Sequence, residues 1–221
     1  MKLFSWVSTG LVFMTSLSAP LVFAATDSST TVDVDEKTHL VFMREEEKLA
    51  RDVYITLGSL YPNSTVFGKI DDSEQQHTDS VKAILDKYGI EDPSSSNEVG
   101  IFTGPEFGSY FTEKYKLLVG RAVKSELEAL YVGAFIEELD MRDINYCPAE
   151  IVNQDNGIST VEACGLVYTN NPDIQQLYKH LLDGSDNHLE AYVKNIEQII
   201  GEGNYQAQVL TQDEVDALLG R

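Results

Sequence analysis

Four short stretches of this chain place carboxylates and histidines at spacings that let their side chains meet. In "SEQQH", Glu74 and His77 stand three residues apart, so a helix carries both on one face. In "GSDNH", His188 follows Ser185 by three, and in "VGAFIEELD", Asp140 follows Glu137 by three. In "MREEEKLARDVY", Glu45, Glu46 and Glu47 run side by side. Successive helical residues point about 100° apart, so these three cannot share a face. The apolar stripe Met43, Ala50, Tyr54 and Leu57 passes through Glu47, which is therefore expected to point inward. Glu46 falls at the margin of that stripe and Glu45 is expected to face solvent.

A carboxylate sent into a core is costly unless it is paired or bound to a metal. The chemistry to expect is therefore cation binding. Carboxylates can span two cations, while each imidazole supplies one neutral nitrogen. A Glu on one helix and Glu-x-x-His on the next is the arrangement by which helical bundles hold two metal ions. The candidate ligands are Glu47, Glu74, His77, Glu137 and His188, with Asp140 as an auxiliary. Tyr54, Ser185 and Tyr192 lie within one or two turns of them and form the surrounding layer. His39 and Met43 add soft donors on the first helix, a weaker copper-type set, while His180 is expected to be exposed.

Each residue also has a plainer explanation. A glutamate run is usually a solvated helix face, and Glu74 could complete a capping box with Asp71. Glu137 beside Glu138 could be an exposed helix edge, and His188 could bond to Ser185 across one turn. Tyr54 and Tyr192 could simply fill the core. The joint occurrence of one acidic or histidine element per helix, each on an apolar stripe, favours a metal site. A former metal site now filled by hydrogen bonds is the alternative.

The elements that must position these residues are helices. Apolar residues recur at helical spacing from Glu36 to about Leu60, through Leu40, Met43, Ala50, Val53, Tyr54 and Leu57. A second helix is expected from a cap at Asp71 or Asp72 to Tyr88, stopping at Gly89. A third helical region spans about Pro105 to Ile144 with a break near Gly120, its second part carrying Leu127, Leu130, Ala134 and Ile144. A fourth runs from Pro172 to about Ile200, with Leu177, Leu181, Tyr192 and Ile199 facing inward. Thr211 and Glu214 offer a capping box for a short last helix. The expected fold is all-α: a four-helix bundle over residues 36–200, with an insertion at 145–170 between the third and fourth helices, and a tail at 201–221.

These motifs carry a resemblance. "EKLARDVY" resembles the rubrerythrin-type ExxARxxY helix, with Glu47 in the ligand position and Tyr54 two turns on. Together, "MREEEKLARDVY", "SEQQH", "KYGIEDP", "VGAFIEELD" and "GSDNHLEAYV" resemble the DUF2202 family, a ferritin-like domain. The likeness spans most of residues 39–200 apart from the cysteine insertion, and the tail "NYQAQVLTQDEVDALL" fits as well. It implies a ferritin-like bundle within the di-iron carboxylate superfamily. One or two transition-metal ions are implied, iron first, with manganese, zinc or copper compatible with the same donors. With iron, it implies oxygen- or peroxide-linked redox chemistry such as ferrous oxidation. The chain departs from the di-iron pattern at Ser185, where the second Glu-x-x-His would have its glutamate.

Composition frames the setting. Lys2 followed by the apolar run Leu3–Phe23 has the layout of a secretory signal peptide over residues 1–24, with an uncleaved anchor as the alternative. Residues 25–35, rich in Ser, Thr and Asp, are expected to be a flexible linker. Export suits the two cysteines, Cys147 and Cys164, expected to form one disulfide worth roughly 3 kcal/mol. A metal-binding cysteine pair is the alternative, although no second CxxC or nearby histidine joins them. A net charge of −20 argues against nucleic acid and anionic membranes as partners. Metal ions, dioxygen or peroxide are the expected partners, and self-association is compatible with the sequence. Two further functional classes stay open: metal binding or storage without turnover, and a metal-free helical interaction module.

Overall fold

The computed structural model describes residues 31–154 and 157–221, and every regular element in these residues is an α-helix. They are α1 (Val34–Leu60), α2 (Phe67–Tyr88), α3 (Gly108–Ala122), α4 (Glu126–Asn145), α5 (Ala149–Val152), α6 (Pro172–Ile200) and α7 (Gln212–Leu218). The expected leader at 1–24 and most of the expected linker lie outside the described residues. α1 begins at Val34, two residues before the expected start of the bundle: Asp33 caps it, accepting from the amides of Asp35 and Glu36, and Glu36 reaches back to the Asp33 amide.

α1, α2, α4 and α6 form the four-helix bundle, with α1 against α2 and α4, and α6 against α4 and α2. α3 packs on α1 and α4 from outside. α1 is thereby enclosed all round, and every residue from His39 to Tyr54 is buried. This overturns the expectation that Glu45 faces solvent and Glu46 lies at a margin: Glu45 is 0% and Glu46 3% exposed. A single apolar stripe assumes a single covered face, whereas here the segment between α2 and α3 covers Glu45, and Glu46 lies toward Lys114 of α3 and Asp140 and Asp143 of α4. Charged side chains of α1 anchor that segment. Arg44 pairs with Asp92, Lys48 donates to the Glu98 carbonyl, Arg51 reaches Asn97, and buried Asp52 accepts from the Gly100 amide. Glu45 accepts from the Gly104 amide at 3.3 Å.

Three further expectations are corrected. α2 starts at Phe67 rather than at Asp71 or Asp72, because the Phe67 ring is buried against Tyr61 and Tyr192 and extends the helix inward. Glu74 therefore lies two turns inside the helix and is not part of a cap. The break in the third region falls at Val123–Ser125, not at Gly120, because the Ser125 hydroxyl caps α4 by accepting from the Glu128 amide. Ile199 is 56% exposed. The buried stripe runs through Val193 and Ile196, and it is half-buried Ile200, one residue after Ile199, that packs against the core.

The insertion contains α5 and the Cys147–Cys164 disulfide. Thr211 and Glu214 form the capping box of α7. The tail before α7 is held by Glu138, which accepts from the Tyr205 hydroxyl and from the amides of Gln208, Val209 and Leu210. Glu137 and Glu138 are both buried, so neither is a helix edge. No described helix is long and apolar enough to cross a membrane.

Candidate metal centre

Glu47 of α1, Glu74 and His77 of α2, Glu137 of α4 and His188 of α6 converge inside the bundle, all at 7% exposure or less. They form two groups, Glu47–Glu74–His77 and Glu74–Glu137–His188, whose ligand atoms lie within 4.8 Å of one another. Glu74 belongs to both. His77 Nδ1 is 3.3 Å from Glu47 Oε2 and 3.2 Å from Glu74 Oε2. His188 Nδ1 is 2.7 Å from Glu74 Oε1 and 3.5 Å from Glu137 Oε2. One carboxylate thus turns one oxygen to each imidazole.

These contacts are ion pairs that lack the angles of well-formed hydrogen bonds. Nδ1 of both histidines, Oε1 of Glu47 and Glu74, and Oδ1 of Asp140 have no hydrogen-bond partner. Buried polar atoms are rarely left so. Four of these atoms, on Glu47, Glu74, His77 and His188, belong to the two groups, and such a concentration of metal-ligating residue types fits a cation held between them.

Electrostatics point the same way. Burial raises the Glu47 carboxyl, partly offset by His77, and burial with the Glu74 charge raises Glu137. Glu74 is held low: burial opposes this, but His188 and His77 outweigh it. Burial would lower both imidazoles, yet the carboxylates around them raise His77 and His188 above the usual range. Asp140 and Glu46 are raised well above theirs, first by burial and then by neighbouring carboxylates. So many carboxylates around two imidazoles make a pocket that a multivalent cation would stabilise.

The surrounding layer holds the ligands in place. The Tyr54 hydroxyl donates to Glu137 Oε1 at 2.5 Å, so Tyr54 orients a candidate ligand as well as filling the core. Tyr192 packs on Tyr54 with ring centroids 5.4 Å apart, over Gly133, where a Cβ would overlap the Tyr192 ring. Ser185 donates to Asp140 Oδ2 at 2.6 Å and to the Leu181 carbonyl, and not to His188. Asp140 belongs to neither three-residue group. It lies close enough to raise its own carboxyl through Glu47, Glu137 and Glu74.

The His39–Met43 copper set is overturned. Nε2 of His39 donates to the Asp143 carbonyl at 2.8 Å and Nδ1 accepts from the Tyr178 hydroxyl at 2.6 Å, which leaves no nitrogen for a metal. The cysteine-pair metal alternative is likewise removed by the disulfide. Sequence spacing missed Glu46 and two glycines, Gly133 and Gly184. A glycine inside a strongly periodic helix is a readable signal of close approach.

Fold and site together define a helical bundle enclosing a carboxylate–histidine cluster. The family model for an uncharacterised protein domain, DUF2202, matches residues 36–163 and 157–220, and the chain belongs to that family. It is 38% identical over 188 residues to the uncharacterised protein MJ0754 of Methanocaldococcus jannaschii, covering 85% of this chain and 88% of that protein. The crystal structure of the hypothetical protein MJ0754, from Methanococcus jannaschii, aligns with a TM-score of 0.70 at 37% identity, over 86% of this chain and 94% of that one.

Proposed function

We propose that this protein is an exported, ferritin-like metal-binding protein that holds one or two transition-metal ions inside its bundle. Glu47, Glu74 and His77 would hold one ion, and Glu74, Glu137 and His188 the other. The observation that carries this is Glu74, shared by both groups, with buried imidazole nitrogens and carboxylate oxygens crowded around it.

Bound iron would supply one-electron redox chemistry toward dioxygen or peroxide, and iron is the metal proposed. The chain's own residues bind, orient and exclude. Glu74 would contribute to both positions, and Tyr54 holds Glu137 through its hydroxyl. Tyr192 and Phe67 wall off one side with rings 6.0 Å apart. Asp140 stands where the Glu-x-x-His pattern lacks its glutamate, and Ser185 holds one of its oxygens while the other is unpartnered. Asp140 would be the auxiliary carboxylate near the centre, supplied by α4 rather than α6.

Metal content after purification without chelator tests binding, and oxygen consumption on adding ferrous ion tests turnover. Bound metal with no oxygen consumption would leave a binding or storage protein. No bound metal, in a chain that also takes up none when it is supplied, would leave the helical interaction module.

A further inference from the structure

On the metal-binding function proposed above, on which this depends, we propose that His180 is the outer ligand through which a divalent metal ion reaches the buried centre. Residues 180, 184 and 188 follow one another at four-residue steps and share a face of α6. The middle one is Gly184. A Cβ there would overlap Nε2 and Cε1 of His77, so the missing side chain forms a notch that receives the His77 ring from α2. The His77 ring accordingly lies between the two imidazoles of α6, with centroids 5.5 Å from His180 and 5.5 Å from His188.

This row of three imidazoles runs from the surface to the centre. His180 is exposed and lines an open groove of about 350 Å³ between α2 and α6, with Ser80 and Ala83 on one wall and Gln176 on the other. His77 is 2% exposed, turning Nδ1 to the carboxylates and its Nε2 edge to the notch. His188 ends the row at Glu74. Of the four histidines, His180 alone is exposed, since His39 is buried with both nitrogens engaged.

A hydrated divalent ion gives up its water reluctantly, and losing it stepwise is easier than losing it at once. An imidazole in the groove can replace one water while the others still hydrate the ion. The next nitrogen inward is that of His77, in edge contact with it. A purely packing role for His180 would be served equally by another ring, which separates the two explanations.

The test is stopped-flow uptake of cobalt(II) by the metal-free full chain, followed by release into excess chelator. His180→Ala and His180→Phe are compared with the parent. The proposal expects both variants to take up and release cobalt about tenfold more slowly, with stoichiometry and affinity unchanged. A group that acts only on the route changes both rates by one factor. Parental uptake in His180→Phe overturns the proposal, as does a loss of affinity at an unchanged uptake rate. If the parent itself takes up no cobalt, the metal-binding function fails first, and this proposal with it.

Discussion

The hydroxyl of Ser185 on α6 donates to Oδ2 of Asp140 on α4 at 2.6 Å, so a hydroxyl–carboxylate pair stands where a glutamate would complete a second Glu-x-x-His. Both residues are buried. The relationship predicts that Ser185→Ala lowers the stability of the metal-free protein by about 1–2 kcal/mol, through a lost hydrogen bond to a buried acid. Ser185→Glu alone sets two carboxylates together and should destabilise the metal-free form further. Combined with Asp140→Ser it should restore both fold and metal occupancy. Urea unfolding and metal titration of the three variants check this, and equal stability in all would show that the pair is idle.

His77→Ala and His188→Ala should each lower bound metal sharply. Both should lose thermal stabilisation by added metal, since a ligand that binds only the folded state stabilises in proportion to its affinity. Parental metal content in both variants would remove them from the ligand set.

Metal uptake should release protons. His77 and His188 are raised by their carboxylate neighbours, and the metal-free protein should therefore carry both imidazoles protonated at neutral pH. A ligand nitrogen must be bare, so full loading should liberate about two protons from the imidazoles near pH 7. Uptake should weaken as pH falls. In the metal-free protein these same ion pairs stabilise the fold below the unfolded histidine range, and that contribution is lost as pH rises through the raised folded values. Calorimetry in buffers of different ionisation enthalpy counts the protons, and zero release would contradict the ligand assignment.

His39 has the opposite sign. Burial pushes its imidazole down to about 4, against hydrogen bonds to the backbone that favour the charged form. The unfolded chain then binds the extra proton between about 4 and 6.5. The contribution of roughly 3 kcal/mol is therefore fully present above 6.5 and lost as pH falls toward 4. Relative to His39→Gln, the parent should lose about that much stability between pH 7 and pH 4. Parallel stability curves would contradict it.

The disulfide lies in the insertion, and neither cysteine is among the residues converging on the cluster. Replacing Cys147 and Cys164 by serine should lower stability by about 3 kcal/mol and leave metal stoichiometry unchanged. Loss of metal in a folded double variant would tie the insertion to the centre.

The helices were legible because their apolar spacing is strong, and Glu47, Glu74, His77, Glu137 and His188 were legible because each sits on such a stripe. The burial of Glu45 and Glu46 was not. Spacing reports one covered face, whereas the segment carrying Asp92, Glu98 and Gly104 covers α1 on the Glu45 side and α3 and α4 face Glu46. The start of α2 was set by the docking of Phe67 on Tyr61 and Tyr192, a contact remote in sequence that overrides local capping signals. The Ser185–Asp140 bond crosses helices and no periodicity encodes it. Gly184 was readable as an oddity, but its use needed the His77 ring to be seen filling the notch.

Because Glu74 is the residue common to both ligand groups, its removal tests the central claim most directly. The measurement is bound iron or cobalt per chain, by elemental analysis after loading and desalting, in the parent and in Glu74→Ala. Circular dichroism should confirm that the variant is helical. The account predicts one or two ions in the parent and a near-complete loss in the variant, because both positions lose a ligand at once. A folded Glu74→Ala that retains the parental metal content, or a parent that binds none, would contradict it.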